Sequence, residues 1–162
     1  MSKLIQNAVN VGGVFIKSAY THDYQQFIVN GETYALDGGT EYCKRSGDFN
    51  QEPEIDTSYT LWSDDDFEYR ADRFLWGTRG KSGREPLKYV RIKDMELDHI
   101  NACLCIFVQP GTNLDDMPDI PECAFTYMVY WKQVKERELA ESSKLTPTAT
   151  TPRVLYKVVK LP

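Results

Sequence analysis

Short apolar runs punctuated by glycine and polar residues occupy much of the first forty residues, the pattern of strands. Residues 11–16 and 24–29 are runs of β-branched and aromatic side chains bounded by glycine and polar residues, and both read as strands. Asn30 and Gly31 follow, a pair that tolerates the positive φ demanded at both centres of a tight hairpin turn, so residues 32–36 form the return strand. Asp37, Gly38 and Gly39 punctuate the chain next. Residues 41–45 allow one more short strand, and the polar stretch 46–58 reads as a long surface loop.

Beyond residue 63 the period lengthens. Ser63 offers a hydroxyl to free backbone N–H groups, Asp66 completes a capping box, and three consecutive carboxylates suit the positive end of a helix dipole. Phe67, Ala71, Phe74 and Leu75 share one face, so the spacing predicts a helix over 64–76 that Gly77 ends. A glycine-punctuated basic loop over 77–86 leads into a strand over 87–92, with Pro86 at its entrance. Asp94 is placed to cap a second helix, in which Leu97, Ile100, Leu104 and Phe107 recur near the helical period until Pro110 and Gly111. A third helix is predicted from Asp119, with Pro121 in its first turn, to about Glu141; Ala124, Met128, Trp131 and Val134 line one side of it, and Tyr127 and Trp131 read as core or subunit contacts. Residues 142–152 are rich in threonine and proline and read as a linker. Residues 153–162 then form a C-terminal strand that closes the chain's own sheet or adds to a neighbouring subunit, which makes a homo-oligomer an expectation. Hairpins first and helices later predict an α+β fold with a mostly antiparallel sheet beginning in a β-hairpin, about three helices, and a single domain over 1–141.

Composition narrows the class. A chain of 162 residues can bury one sizeable core, and 41% hydrophobic with 27% charged residues excludes wholesale disorder or a rod. No apolar run approaches the roughly 18 residues of a membrane span and the start lacks an apolar core of leader length, so a cytoplasmic protein with no membrane role is expected. Cys43, Cys103, Cys105 and Cys123 then read as reduced thiols. A net charge of −5 argues against general nucleic-acid binding.

That charge is unevenly distributed: residues 52–72 hold eight acids and one base, residues 73–93 seven bases and one acid. Glycines among the bases would let backbone N–H groups approach an oxyanion, arginine and lysine would pair with phosphates, and rings beside them would stack on a base. The candidate ligand-binding residues are therefore Trp76, Arg79, Lys81, Arg84, Lys88, Tyr89 and Arg91. In the competing reading the acidic and basic blocks pair with one another across the surface. Gly80, Lys81 and Ser82 do not make a P-loop, because Leu75 stands where the motif needs glycine and the flanking strand and helix are reversed. His22 and His99 are the only histidines. No spacing suggests a metal or a cofactor, and His99 is the candidate general base of an enzymatic alternative acting on a nucleotide or phosphorylated substrate.

Residues 76–100 read WGTRGKSGREPLKYVRIKDMELDHI, and residues 38–47 read GGTEYCKRSG. Over parts of 38–104 the chain resembles a family of small accessory proteins of tailed bacteriophages, whose shared pattern is an R-G-K-x-G stretch, a P-L-x-Y-V strand and a D-x-H-[IL] helix. Here the corresponding residues are Arg79, Gly80, Lys81 and Gly83, then Pro86, Leu87, Tyr89 and Val90, then Asp98, His99 and Ile100. The resemblance implies a protein acting in the cytoplasm of an infected bacterial host, where it inhibits a defence or other host process; the basic, aromatic loop, with no recognisable catalytic constellation beside it, makes non-catalytic binding the expected means. Its partner would be a nucleotide signalling molecule held by the basic loop, or a host bacterial protein on which it docks directly.

Overall fold

The computed structural model describes residues 1–50, 53–107, 111, 113 and 119–145. Among these the chain runs through β1 (Leu4–Val11), β2 (Val14–Ser18), β3 (Gln25–Val29), β4 (Glu32–Asp37), β5 (Lys44–Asp48), β6 (Ile55–Asp56), β7 (Leu61–Trp62), α1 (Phe67–Arg73), β8 (Leu75–Thr78), β9 (Lys88–Arg91), α2 (Leu97–Phe107) and α3 (Ala124–Leu145). A single 3-10 turn, Ile92–Asp94, joins β9 to α2. The architecture is α+β, and every strand pairing among the described residues is antiparallel. No helix among the described residues is long and apolar enough to cross a membrane.

β1 is buried along nearly its whole length and has neighbours on both edges. β2 pairs with it from Val11↔Val14 to Asn7↔Ser18, and β6 and β7 pair along the opposite edge with an irregularity between Leu4 and Gln6. The strand expected over 11–16 is split by the turn of the first hairpin: Val11 ends β1 and residues 14–16 open β2, while between them Gly12 and Gly13 take φ of 56° and 90° and the Gly13 N–H donates to Asn10 Oδ1 at 2.9 Å. The next hairpin follows the expectation, with Asn30 at φ 53° and Gly31 at φ 82° between β3 and β4. The short strand foreseen at 41–45 lies later, at Lys44–Asp48, and the supposed loop 46–58 contains its end together with β6.

Two apolar clusters flank β1. Val9, Val11 and Ile16 pack with Val29, Tyr34 and Leu36 of the β3-β4-β5 sheet. Ile5 and Leu61 pack with Phe74, Ile92, Ile100, Leu104, Tyr127 and Met128 of the helical half. Between these clusters Gln6 and Asn7 are fully buried, so their amides must find partners inside the fold. Gln6 Nε2 donates to the carbonyls of Tyr59 (2.8 Å) and Arg73 (3.1 Å), and its Oε1 accepts from the Leu75 N–H at 2.9 Å. Asn7 Nδ2 donates to the Asp37 carbonyl at 3.0 Å, and its Oδ1 accepts from the Cys43 thiol at 3.0 Å. Adjacent side chains of one strand thus fasten the two halves of the molecule to it.

The first helix is shorter than 64–76. Ser63 does not cap it: its N–H donates to the Lys3 carbonyl and its hydroxyl accepts from the Lys3 N–H, each at 2.8 Å, prolonging the pairing of β7 with β1. Asp65 turns the chain by accepting from the Trp62 N–H at 2.7 Å. At the other end Phe74 turns extended (φ −69°, ψ 131°), so Leu75, Trp76 and Gly77 enter β8 and Gly77 ends nothing. Asp94 caps no helix either, being the last residue of the 3-10 turn. The third helix begins at Ala124 rather than Asp119, after a turn closed by the Cys123 N–H on the Ile120 carbonyl at 2.9 Å. Tyr127 is fully buried, as expected, and the Trp131 indole N–H donates to the Ala71 carbonyl at 2.9 Å. This helix continues to Leu145, so the linker expected from 142 does not begin there. The rest of that linker and the strand over 153–162 lie outside the described residues.

Removing the Gln6 amide strands the Leu75 N–H and two carbonyls in a buried setting, at a cost of about 2–3 kcal/mol. Gln6→Met should therefore lower the unfolding free energy by that amount, read as a lower urea midpoint at unchanged slope, whereas Gln26→Met, on the exposed side of β3, should stay within about 0.5 kcal/mol of wild type.

Candidate functional site: the β8–β9 hairpin and its cleft

β8 and β9 form a hairpin whose register is Leu75↔Arg91, Trp76↔Val90, Gly77↔Tyr89 and Thr78↔Lys88. Alternation along a strand therefore sorts the candidate residues onto two faces. Trp76 and Lys88 share one face with Thr78 and Val90; Tyr89 and Arg91 lie on the other with Leu75 and Gly77. The seven candidates are not brought to one point.

The back face is closed by the first two strands. Lys17 of β2 donates from Nζ to the Leu75 carbonyl at 3.1 Å, and its ammonium sits 4.5 Å from the centre of the Phe74 ring. Burial pushes its pKa down to about 8. Gly77 makes room here: a Cβ on it would stand 3.2 Å from both Leu87 Cδ1 and Tyr89 Cε1. The half-buried Tyr89 ring thus lies against the backbone of its own hairpin, and burial, with Asp23 nearby, raises its pKa. Trp76, on the front face, packs into the helical core with its ring edge-on to Phe107 at 6.1 Å. Neither ring is placed to stack on a ligand at the tip.

Arg91 is already engaged. It donates to Asp94 through Nε at 2.8 Å and Nη2 at 3.2 Å, and Asp72 stands 3.8 Å from Nη1. Asp72 also meets Arg73 at 3.3 Å and Lys93 at 2.5 Å. The Lys93 hydrogen bond, with the charges of Lys93, Arg91 and Arg73, holds the Asp72 carboxyl below the usual carboxylate range. Three of the seven bases are thus gathered on one carboxylate, as the pairing of acidic and basic blocks would have it. The other four, Arg79, Lys81, Arg84 and Lys88, are exposed around the tip, and no ion pair among the described residues includes them.

The tip itself is a closed turn rather than an open backbone cradle. Gly80 and Gly83 take φ of 74° and 72°. The Glu85 N–H donates to the Arg79 carbonyl at 3.0 Å, the Gly83 N–H to the Gly80 carbonyl at 3.1 Å, the Gly80 N–H to Thr78 Oγ1 at 3.2 Å and the Arg84 N–H to Ser82 Oγ at 3.2 Å. These amides are spent, and a Cβ at Gly80 would collide with the Glu85 carboxylate. Recognition of an anion by backbone N–H groups, expected from the glycines, therefore has no donors at these four positions, and the exposed side chains are the main groups offered for the task.

On the front face a cleft of about 240 Å³ opens between the hairpin and the start of α2. Thr78, Gly80, Lys81 and Lys88 form one side, Val90 and the buried Met95 the floor, and Asp94, Glu96, Asp98 and His99 the far side. His99 thus stands near the loop, as the enzymatic alternative requires. Sequence reasoning missed the acidic wall, because carboxylates at the start of a helix read as dipole partners and caps. No group of His, Cys, Asp or Glu among the described residues is arranged to hold a metal ion. Comparison of the chain with protein-family models, with curated proteins and with solved structures returned no match.

The Asp72 cluster has a defined pH signature. A carboxyl whose folded pKa lies below its unfolded value of about 3.9 contributes stability that is present above that value and lost as the pH falls through the folded pKa. Asp72→Asn should destabilise the protein by about 1 kcal/mol near neutrality, and in urea titrations the gap from wild type should close as the pH drops below about 4.

Proposed function

We propose that the chain is a non-catalytic binding protein that takes an anionic ligand, a nucleotide signal, on the side chains of Arg79, Lys81, Arg84 and Lys88. In the phage setting implied by the motif resemblance, such binding withdraws a signal on which the infected host depends. The observation that carries this reading is the contrast within the basic block: Arg73, Arg91 and Lys93 are neutralised by Asp72 and Asp94, while the four cations at the tip make no ion pair among the described residues of a protein of net charge −5. Exposed cations on a tight turn make charge-assisted hydrogen bonds to phosphate oxygens without first breaking an internal pair. The contact set loses Trp76 and Tyr89, whose rings pack against the fold, and Arg91, whose guanidinium is paired with Asp94 and Asp72, and the phosphates rather than the base of the ligand do the binding.

A second reading, an enzyme on a phosphorylated substrate, draws on His99 sharing the cleft with Lys81 and Lys88. Intact nucleotides after prolonged incubation with the protein, with and without divalent metal, would remove it.

Calorimetry against a panel of cyclic nucleotides and ADP-ribose tests the binding reading. At least one member should bind saturably, with an affinity that falls as salt rises and drops at least about tenfold in Arg79→Ala with Arg84→Ala. Arg91→Ala should leave that affinity unchanged. Absence of saturable binding across the panel, or binding indifferent to the double substitution, contradicts the proposal.

A further inference from the structure

The cleft beside the hairpin has two walls of opposite sign that do not touch. Lys81 and Lys88 stand on the hairpin side, and Glu96 and Asp98 on the side of α2. All four are exposed, and no ion pair among the described residues joins either lysine to either acid. The third acid, Asp94, is committed to Arg91 at 2.8 Å. Between the walls lies an apolar floor, Val90 and the Met95 side chain, the latter only 4% exposed. Cations on one side, carboxylates on the other and hydrocarbon beneath form a pattern with a definite complement.

We propose that this cleft binds a small zwitterion: a phosphate or carboxylate at one end against Lys81 and Lys88, an ammonium at the other against Glu96 and Asp98, and a methylene spacer across Val90 and Met95. This rests on the anion-binding reading of the hairpin for its phosphate half and adds the cationic half. A simple anion is the poorer fit, since it would place its charge in a cleft walled on one side by carboxylates. A simple cation is repelled from the lysine side for the same reason. A molecule with both charges satisfies each wall and covers the floor, gaining the burial of its spacer as well. His99 borders the same space, so its ring reports occupancy even where it makes no contact of its own.

The experiment is a titration of the full chain followed by NMR at the Met95 methyl and the His99 ring. The probes are inorganic phosphate, ethylammonium, O-phosphoethanolamine and its longer aminohexyl phosphate homologue. One of the two zwitterions should shift both reporters saturably and more tightly than phosphate, while ethylammonium does nothing. Glu96→Gln with Asp98→Asn should weaken the zwitterion at least about fivefold while strengthening phosphate, because repulsion from the carboxylates is then gone. Lys81→Ala with Lys88→Ala should abolish both. All four side chains are exposed, so these variants leave the core intact, and unchanged amide spectra confirm it.

Phosphate binding as tightly as either zwitterion, with the carboxylate variant tightening all phosphates alike, overturns the zwitterion assignment and keeps the anionic reading. Failure of both zwitterions to move Met95 and His99, beside nucleotide binding that depends on Arg79 and Arg84, likewise overturns this proposal alone. Failure of every probe and every nucleotide overturns both.

Discussion

Both backbone polar groups of one residue, Leu75, are held by side chains from the first two strands: its N–H by Gln6 and its carbonyl by Lys17. Leu75 is fully buried and sits where α1 has ended and β8 begins. Unpaired, its polar groups would cost about as much as a typical destabilising mutation each. With Gln6 also holding the Arg73 carbonyl, β1 and β2 secure the whole path from helix to hairpin without sharing a backbone ladder with it. The chain cannot continue α1 through Leu75 without giving up these bonds, and that decides both the length of the helix and the existence of β8.

The site inherits its geometry from that attachment. Because Leu75 faces back toward β2, its neighbours Gly77, Tyr89 and Arg91 do too, and Trp76, Lys88 and Val90 face α2. Charge is then sorted by distance from the attachment. Near it, Arg73, Arg91 and Lys93 converge on Asp72, and Lys135 of α3 fixes the adjoining turn by donating to the Lys93 carbonyl at 2.8 Å. At the far end of the hairpin no ion pair among the described residues reaches Arg79, Lys81, Arg84 or Lys88. An acidic protein thus carries a positive tip and, beside it, a cleft of mixed sign.

Local chemistry made much of this legible in the sequence. Asn30 and Gly31 mark a hairpin because the turn needs positive φ at both positions, and Tyr127, Met128 and Trp131 mark a buried helix face by their spacing. The strand expected over 87–92 by itself puts Lys88 and Val90 on one face and Tyr89 and Arg91 on the other. Gly12 and Gly13 are also a turn signal, obscured by the β-branched residues around them. β1 escaped notice because Gln6 and Asn7 break the alternation, and only tertiary partners make buried amides tolerable. The same partners shortened the first helix: Phe74 and Leu75 fit a helical face equally well, and nothing local reveals that Gln6 and Lys17 will claim the next peptide. Arg79 and Arg91 look alike in a list of bases, and only the fold places Asp72 beside one and not the other.

Residue-resolved hydrogen exchange at the Leu75 amide tests the attachment most directly. In the wild-type protein this amide should be protected to the level of the β1–β2 ladder, and Gln6→Met should collapse its protection while the Val9 and Ile16 amides stay slow relative to the new global stability. Rapid exchange of Leu75 in the wild type, or protection untouched by the loss of Gln6, would contradict the claim that side chains of the first strands hold the hairpin in place.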